Sequence, residues 1–318
     1  MFLLGFDIGG TKCAVMTADY ENGQITLLEK KKIDTAAYLS PYEIIDRLIT
    51  LADEICHKKP EAIGISCGGP LDSKKGIIMS PPNLPGWDNV NIVEIIKNHF
   101  LGVPVHLQND ANACAVAEWK FGAGRGKNNV VFLTFGTGLG AGLILDGRLY
   151  SGTNDNAGEV GHIRLEKSGP VGYGKAGSFE GFCSGGGIAQ LGFMMAVDAI
   201  KKGISPAYYT EGMTPGEVTA KTIADAANAG DETALEVYRT CGEHLGKGLS
   251  IIIDILNPEV IVIGSVFARA QNLLWDSARA VIEAEALPLS TNVCSVLPAQ
   301  LGEQIGDYAA IATALLEE

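Results

Sequence analysis

The sequence predicts an α/β protein made of two similar domains, and three observations support this fold class. Short apolar runs that end in glycine alternate with longer stretches whose apolar residues recur at helical spacing, as in residues 41–57. A strand, a glycine-rich turn with a threonine and a returning strand occur twice, at 6–11 and at 135–140. The length of 318 residues is enough for two domains of ordinary size. We expect residues 1–120, joined by about 300–318, to form one domain and 121–299 the other.

Composition and charge exclude several classes of protein. Hydrophobic residues make up 47% of the chain, which indicates a packed core. The net charge of -13 argues against nucleic acid and anionic membranes as partners, because both require a basic patch. No apolar run is long enough to span a bilayer. The 7 cysteines are scattered and include no C-x-x-C pair, which is typical of reduced thiols in a cytoplasmic protein.

The first glycine turn follows an apolar strand at 3–6. It carries polar and glycine residues suited to a phosphate, namely Asp7, Gly9, Gly10, Thr11 and Lys12. Glycines let backbone N–H groups approach an anion, and Thr and Lys add donors, whereas the Asp requires a divalent cation between itself and the phosphate. The stretch is therefore either a site for a metal-bound phosphate or an ordinary hairpin turn. Two further strands at 13–16 and 25–33 make it unlike a dinucleotide-binding unit, whose glycine loop opens a helix.

The next strands lead to polar residues. A strand at 62–66 runs into a tight loop with Gly68 and Gly69, and a later loop displays Asn83 and Trp87.

A strand at 103–107 is followed by Asn109 and Asp110 and then by a helical stretch at 111–119. Asp110 thus lies where open α/β sheets bind ligands. Aspartate is also a preferred helix N-cap, and both roles are compatible.

The second glycine turn carries Gly136, Thr137, Gly138 and Gly140 and leads into a hairpin, so it is not a Rossmann fingerprint. Two similar domains that each present a glycine hairpin to one cleft could hold a nucleoside triphosphate from both sides.

A glycine-rich, irregular stretch then extends to Gly187, and a largely helical region covers 231–256. Gly264 and Ser265 follow a buried strand and either hold the nucleoside or form a close-packed turn. A short amphipathic helix at 307–315 is expected to pack on the first domain.

Six motifs together resemble, in order, those of the ROK family, which includes bacterial sugar kinases and related repressors. They are Asp7-Ile8-Gly9-Gly10-Thr11-Lys12, Cys67-Gly68-Gly69-Pro70-Leu71-Asp72, Asn83-Leu84-Pro85-Gly86-Trp87, Asn109-Asp110-Ala111-Asn112-Ala113, Gly136-Thr137-Gly138-Leu139-Gly140 and Gly158-Glu159-Val160-Gly161-His162. The resemblance covers essentially the whole chain. It implies the duplicated actin-like, ribonuclease-H-like ATPase fold, with ATP and a sugar in the cleft between two domains, and it favours a homodimer.

The resemblance also implies roles for particular residues. Asp110 resembles the catalytic base, and Asp7 is expected to face Mg²⁺ through water. The expected sugar-binding residues are Gly69, Asn83, Asn109, Asp110, Glu159, His162 and Glu180. The expected ATP-binding residues are Asp7, Gly9, Gly10, Thr11, Lys12, Gly136, Thr137, Gly138, Gly140, Gly264 and Ser265. This assignment agrees with the needs of phosphoryl transfer to an alcohol, namely positioning, Mg²⁺ and a carboxylate that accepts the hydroxyl proton. Trp87 is expected to present an apolar face to the sugar.

The chain departs from the family pattern at two places. The family's zinc loop, C-x-C-G-x-x-G-C-x-E, aligns with residues 171–180, where Val171, Tyr173 and Ser178 replace the three thiolates. We therefore predict no zinc, and we expect packing by Tyr173 and Phe179 to order the loop that carries Glu180. The second departure is the adenosine motif around Gly264, which has fewer glycines than the family pattern and leaves the preferred nucleotide open.

The resulting hypothesis is an ATP- and Mg²⁺-dependent enzyme that phosphorylates a primary hydroxyl of a hexose, most simply glucose. N-acetylmannosamine, N-acetylglucosamine, fructose and allose are alternative substrates. A non-catalytic sugar-binding or regulatory protein of the family is a second alternative. A repressor is disfavoured, because the family's repressors carry an N-terminal winged helix and the first phosphate turn here begins at Asp7.

Overall fold

The computed structural model describes residues 1–316, which form two compact units. The first unit comprises Met1–Asn128, Gly142–Ala157 and the chain from Gln300 onward, and the second comprises Asn129–Ala141 and Gly158–Ala299. Residues 121–128 and 142–157 thus lie in the first unit and not, as expected from the sequence, in the second domain. Residues 142–157 belong to the first unit because they begin in close contact with α3: a Cβ added at Gly142 would lie 2.3 Å from the carbonyl oxygen of Ala111.

Strands and helices alternate along the chain, as the sequence predicts. The strands are β1 (Phe2–Ile8), β2 (Lys12–Glu21), β3 (Gln24–Asp34), β4 (Ala62–Cys67), β5 (Leu71–Asp72), β6 (Ile77–Ile78), β7 (Val105–Asn109), β8 (Val130–Phe135), β9 (Leu139–Leu145), β10 (Arg148–Leu149), β11 (Val171–Gly172), β12 (Lys175–Ala176), β13 (Val260–Ile263) and β14 (Ser295–Pro298). The α-helices are α1 (Pro41–Ile55), α2 (Ile92–His99), α3 (Asp110–Phe121), α4 (Phe179–Phe182), α5 (Gly185–Lys201), α6 (Ala220–Asn228), α7 (Glu232–Leu256), α8 (Val266–Glu285), α9 (Pro288–Thr291) and α10 (Ile305–Thr313). Short 3₁₀ helices lie at Thr35–Ala37, Val160–His162, Pro215–Glu217 and Gly302–Gln304.

The first sheet has the strand order β3-β2-β1-β4-β7. Strands β1, β2 and β3 are antiparallel, which confirms the opening meander, and β4 and β7 run parallel to β1. Parallel strands bring their carboxyl ends to the same edge of a sheet. The end of β1 and the residues that follow β4 and β7 therefore share one edge.

Helix α1 shows how the local sequence sets an element. Its Ser40 N-cap side chain accepts a hydrogen bond from the backbone N–H of Glu43, and Pro41 occupies the first turn, as predicted. The apolar residues at helical spacing are buried against the first sheet, including Ile44 and Leu48.

Helix α10 differs from its prediction. It packs on β1, β4 and α3, so the expected packing on the first domain is confirmed. It is not amphipathic, since Ala309 to Ala312 are all fully buried. Two glycines of the sheet admit it: a Cβ at Gly64 would lie 2.1 Å from the carbonyl oxygen of Ala310, and one at Gly5 would lie 3.1 Å from the Cβ of Ala310.

The second sheet has the order β10-β9-β8-β13-β14, with β13 parallel to β8 and β14. Strand β13 is fully buried, and helices α7 and α8 pack closely against each other. In the stretch predicted to be irregular up to Gly187, the structure has α4 and the start of α5 instead. Among residues 1–316, no helix has both the length and the apolar character needed to cross a membrane.

Candidate active site

The first candidate site lies at the shared carboxyl edge of β1, β4 and β7, within the first unit. Asp7 is paired in register with Ser66 of β4, and Cys67 is paired with Asn109 of β7. The first glycine turn, the loop of Gly68 and Gly69, and the start of α3 thus follow neighbouring strands.

Asp7 carries an unfavourable charge in this position. Burial raises its pKa to about 6, and Lys30 opposes the shift, whereas the negative charges of Asp307 and Asp110 raise the pKa further. The Lys30 ammonium itself forms an ion pair with Asp307. A partly buried carboxylate with acidic neighbours is stabilised by an added cation. Asp7 therefore fits a role in holding Mg²⁺, which typically retains several waters and takes only one or two protein carboxylates.

The first glycine turn is braced from within. The Gly9 amide donates to the Lys12 carbonyl at 3.2 Å, so it is used inside the turn. Thr35 donates its hydroxyl to the Gly9 carbonyl at 2.7 Å and its amide to the Thr11 carbonyl at 2.9 Å. Within the described part of the chain, the amides of Gly10 and Thr11 have no acceptor. These two amides are the ones that the turn can present to an anion.

Asn83 lies directly on this turn. A Cβ at Gly10 would be 2.2 Å from the Asn83 carbonyl oxygen, and a Cβ at Gly68 would be 3.5 Å from its side-chain Oδ1. The structure thus brings together the first turn, the loop of Gly68 and Gly69, and a predicted sugar-binding amide.

The expectation for Trp87 is wrong. Its side chain is 1% exposed and belongs to the core of the first unit, where it anchors the loop instead of facing a ligand.

Asn109 and Asp110 have different roles at the start of α3. Asn109, not Asp110, is the N-cap, and its Oδ1 accepts the Asn112 amide at 2.8 Å. Asp110 is exposed, and its Oδ1 accepts the Ala111 amide at 2.8 Å. This bond orients the carboxylate at the N-terminal end of α3.

The second glycine turn closes on itself in the second unit. The Gly136 amide donates to the Gly138 carbonyl at 3.1 Å. The Thr134 hydroxyl accepts the Gly140 amide at 2.9 Å, so this amide is held within the hairpin. Gly140 therefore shapes the turn, and the amides at the tip belong to Thr137 and Gly138.

The carboxylate of Glu180, which lies outside this hairpin in sequence, binds the first residue of β9, Leu139. Glu180 Oε2 accepts the Leu139 amide at 2.9 Å. Two predicted sets of residues, the sugar-binding Glu180 and the second phosphate turn, are thus in direct contact.

Glu159 precedes a 3₁₀ helix, and His162 is the last residue of that helix. Glu159 is exposed, and the His162 amide donates to its carbonyl at 3.2 Å. The His162 ring meets the Tyr173 ring edge-on, with 5.2 Å between centroids. The Lys175 ammonium donates to the His162 carbonyl at 2.7 Å, which ties this segment to the following hairpin.

The loop aligned with the family's zinc site forms a hairpin of β11 and β12. Val171 is 45% exposed and Tyr173 is 70% exposed, whereas Ser178 is fully buried and caps α4 by accepting the Gly181 amide. Phe179 is fully buried, so the expected packing is confirmed for Phe179, whereas Tyr173 is mostly exposed and contacts the His162 ring.

Hydrogen bonds of Gln190 with Val171 brace the hairpin. Over residues 1–316, no group of three or more His, Cys, Asp or Glu side chains is placed to hold a metal ion. These positions do not fit zinc, and its absence from the protein stays a prediction.

The N-terminus of α5 lies beside the second glycine turn, which none of the sequence motifs predicts. The Gly185 amide donates to the Gly136 carbonyl at 2.7 Å, and the Ser184 hydroxyl caps the helix by accepting the Gly187 amide at 2.9 Å. A serine followed by three glycines was the available signal, because it combines a preferred N-cap with small residues that admit a neighbouring backbone. Ser265 is also close, since a Cβ at Gly136 would lie 3.8 Å from its hydroxyl.

Comparison with known proteins decides the family. A sequence model described as the ROK family matches residues 3–316. The chain belongs to the ROK family. It is 32% identical over 306 residues to a glucokinase of Thermotoga maritima, covering 96% of this chain and 94% of the relative.

Solved structures of ROK proteins include both enzymes and regulators. The fold is similar to a ROK family glucokinase from Streptomyces griseus, solved with glucose and AMPPNP, with a TM-score of 0.76, 30% identity and 99% of each chain covered. It is also similar to a ROK family transcriptional regulator, a homologue of the Escherichia coli MLC protein, with a TM-score of 0.83 and 27% identity. That match covers 99% of this chain and 78% of the regulator. The fold class is therefore the duplicated actin-like ATPase fold of the ROK sugar kinases.

Proposed function

We propose that this ROK protein transfers the γ-phosphoryl group of ATP, with Mg²⁺, to a primary hydroxyl of a hexose. The observation that carries the proposal is the exposed, oriented carboxylate of Asp110 at the sheet edge where Asp7 is the second-last residue of β1. Its negative charge acts on Asp7, so a general base and a metal-facing carboxylate lie near each other. The glucokinases among the relatives support the same reaction.

Asp110 acts as the general base in this proposal. The Ala111 amide donates to its Oδ1 and thereby orients the carboxylate. The carboxylate accepts the hydroxyl proton as the oxygen attacks the phosphoryl group. Asn109, as the N-cap, fixes the backbone from which Asp110 projects.

Asp7 has the complementary role. Mg²⁺, when bound, neutralises charge on the phosphate groups of the nucleotide. Asp7 holds the hydrated ion, and the amides of Gly10 and Thr11 bind phosphate oxygens. In the second unit, the amides at the tip of the 136–138 turn bind phosphate, with Gly264 and Ser265 on the nucleoside side.

The hexose is selected by fixed polar groups. We assign its hydroxyl groups to Gly69, Asn83, Asn109, Glu159, His162 and Glu180. Each hydroxyl that lost its partner would cost about 1–3 kcal/mol, which is enough to discriminate between sugars. Glucose is the simplest substrate, and N-acetylmannosamine, N-acetylglucosamine, fructose and allose are the alternatives.

An ADP-release assay over a panel of these sugars, with mass identification of the product, tests the proposal. We expect one sugar to give saturable turnover and a product heavier by one phosphoryl group. The Asp110→Asn variant should lose about 10²–10⁴-fold in turnover, as is typical for removal of a general base, and should still bind the sugar. Near-normal turnover in this variant would contradict the role of Asp110.

A non-catalytic sugar-binding regulator is the second candidate. The likeness to the ROK transcriptional regulator, at a TM-score of 0.83, favours it. Saturable sugar binding by calorimetry, without any ADP release from the panel, would support the regulator and contradict the kinase.

A further inference from the structure

Glu180 joins two segments that the proposed function assigns to different ligands. Its Oε2 accepts the amide of Leu139 at 2.9 Å, and Leu139 is the residue at which β9 leaves the second glycine turn. Hydrogen bonds from backbone N–H groups to a carboxylate are among the stronger ones in proteins, because the acceptor is ionised. The carboxylate therefore helps to hold the end of the 136–138 turn.

The position of this carboxylate is closely defined by glycines from three segments. A Cβ at Gly138 would lie 2.8 Å from Glu180 Oε2. A Cβ at Gly161 would lie 3.2 Å from the Glu180 Cβ, and one at Gly172 would lie 2.8 Å from the same atom. Larger residues at 161 and 172 would displace the Glu180 side chain.

The backbone at Glu180 is fixed as well. The Ser178 hydroxyl accepts the Gly181 amide at 3.1 Å, and the Phe179 amide donates to the Ile163 carbonyl at 2.8 Å. Phe179 is fully buried beside Glu180 in the chain. The side chain thus starts from a rigid base, and the carboxylate has little freedom other than rotation about its own bonds.

One carboxylate oxygen is left for a ligand. A carboxylate accepts hydrogen bonds on both oxygens. Within residues 1–316 the hydrogen bond to Glu180 is made by Leu139 on Oε2, and no donor lies on Oε1. A hydroxyl that donates to Oε1 would fix the plane of the carboxylate and thereby its bond to Leu139.

We propose that Glu180 couples hexose binding to nucleotide binding, with one oxygen on a sugar hydroxyl and the other on the Leu139 amide beside the phosphate turn. This proposal rests on the proposed function. A hexose hydroxyl on Oε1 favours the conformation in which Glu180 holds the 136–138 turn through Leu139. Nucleotide binding then costs less conformational entropy, because the turn is already ordered. By reciprocity, bound nucleotide increases hexose affinity by the same factor.

Calorimetry on the full chain tests this coupling. The dissociation constant of glucose, or of the sugar accepted in the panel, is measured without nucleotide and with saturating AMPPNP and Mg²⁺. For the wild type we expect the affinity to rise by about fivefold or more with nucleotide, the lower end of typical coupling factors. For Glu180→Ala we expect weaker sugar binding and a ratio near one.

Two further variants separate coupling from simple loss of a ligand. Glu159→Ala removes another proposed sugar-binding carboxylate, which is exposed and makes no hydrogen bond to the turn among residues 1–316. It should weaken sugar binding and keep the wild-type ratio. Glu180→Gln retains a carbonyl acceptor for Leu139, so it should recover a ratio above one even where sugar affinity stays low.

The outcomes are distinct for the two proposals. A wild-type ratio of one, or a wild-type ratio that persists in Glu180→Ala, overturns the coupling while leaving the kinase intact. Absence of sugar binding and of ADP release in the wild type overturns the proposed function and the coupling with it. Circular dichroism shows whether Glu180→Ala folds. If it does not, Glu180→Gln replaces it in the test. An affinity ratio of one in Glu180→Gln, with the wild-type ratio kept in Glu159→Ala, then overturns the coupling.

Discussion

The two glycine turns share one local design and differ in how a carboxylate serves each. The first turn follows β1, whose own Asp7 has a pKa raised to about 6 by burial. The second turn follows β8, an apolar strand, and its carboxylate is Glu180, which reaches Leu139 from 41 residues further along the chain. In the first turn Lys30 compensates the charge of the buried carboxylate only in part, whereas in the second turn the carboxylate is bonded to a backbone amide.

This difference shows that the two glycine turns are supported by different parts of the chain. The first turn is stabilised by Thr35, which directly follows β3 of the same sheet, and keeps a carboxylate whose ionised form is disfavoured. Such a site gains most from a bound cation. The second turn depends on side chains that come from later parts of the chain, so its shape responds to their positions.

The largest expected effect is that of Asp7→Asn. Because the folded-state pKa of Asp7 is about 6 and its ordinary value is 3.8, folding favours the protonated form. The ionised Asp7 therefore destabilises the protein, by on the order of 3 kcal/mol at pH 7, and this cost grows as the pH rises from about 4 to about 6. Without ligands, Asp7→Asn should melt at a higher temperature than the wild type at pH 7.5, and the difference should vanish near pH 4.

The same variant should lose activity. Asparagine cannot replace a carboxylate opposite Mg²⁺, so stabilisation by Mg²⁺ with AMPPNP in thermal melts should be lost together with turnover. A variant that melts below the wild type at pH 7.5, or that turns over normally, would contradict the role assigned to the first turn.

An effect of intermediate size is expected for the difference in stability between the Gly10→Ala and Gly138→Ala variants. The Cβ at residue 10 would lie 2.2 Å from the Asn83 carbonyl, and backbone must move to admit it. The Cβ at residue 138 would lie 2.8 Å from Glu180 Oε2, which is a side-chain atom and not a backbone atom. We expect Gly10→Ala to cost about 2 kcal/mol in the free energy of unfolding, within the range typical of overpacking, and Gly138→Ala clearly less. Urea denaturation of both variants checks the order, and equal costs would show that the two turns are equally constrained.

The smallest effect concerns the hairpin that precedes Glu180. Gln190 donates to the Val171 carbonyl at 2.9 Å and accepts the Val171 amide at 3.1 Å. Gln190→Ala should weaken this region by about 1–2 kcal/mol, since two hydrogen bonds are lost, and should speed proteolysis of residues 171–176.

Gln271→Ala is the matched control, because Gln271 also lies on a helix and, within the described chain, its side chain makes no hydrogen bond. Equal proteolysis of the two variants would show that Gln190 does not brace the hairpin. Zinc near one atom per purified chain would instead assign the ordering of this region to a metal.

Much of the fold was predictable because its signals are local. Apolar periodicity predicts α1 and α7, and glycines after apolar runs predict both hairpins. The six motifs identify the family from sequence. The predicted roles of individual site residues stay predictions, as does the homodimer.

The errors concern contacts between distant parts of the chain. A Pro/Gly loop does not reveal which side of it faces the core, and Trp87 proved to be buried. The contact between Glu180 and Leu139 joins residues with no shared periodicity. Asp307, whose charge acts on Asp7, lies 300 residues away from it in sequence, and only the packing of α10 brings the two together.

The burial of α10 has a consequence for synthesis. Helix α10 covers the first sheet at Gly5 and Gly64. It is synthesised after β14, and therefore after the whole second unit. Until residues 305–313 emerge from the ribosome, the face of β1 and β4 that packs on α10 lacks this helix, although the second unit is already complete at residue 299. During translation the nascent chain must therefore carry an unfinished N-terminal core, which makes this stage the one most exposed to aggregation and to chaperone binding.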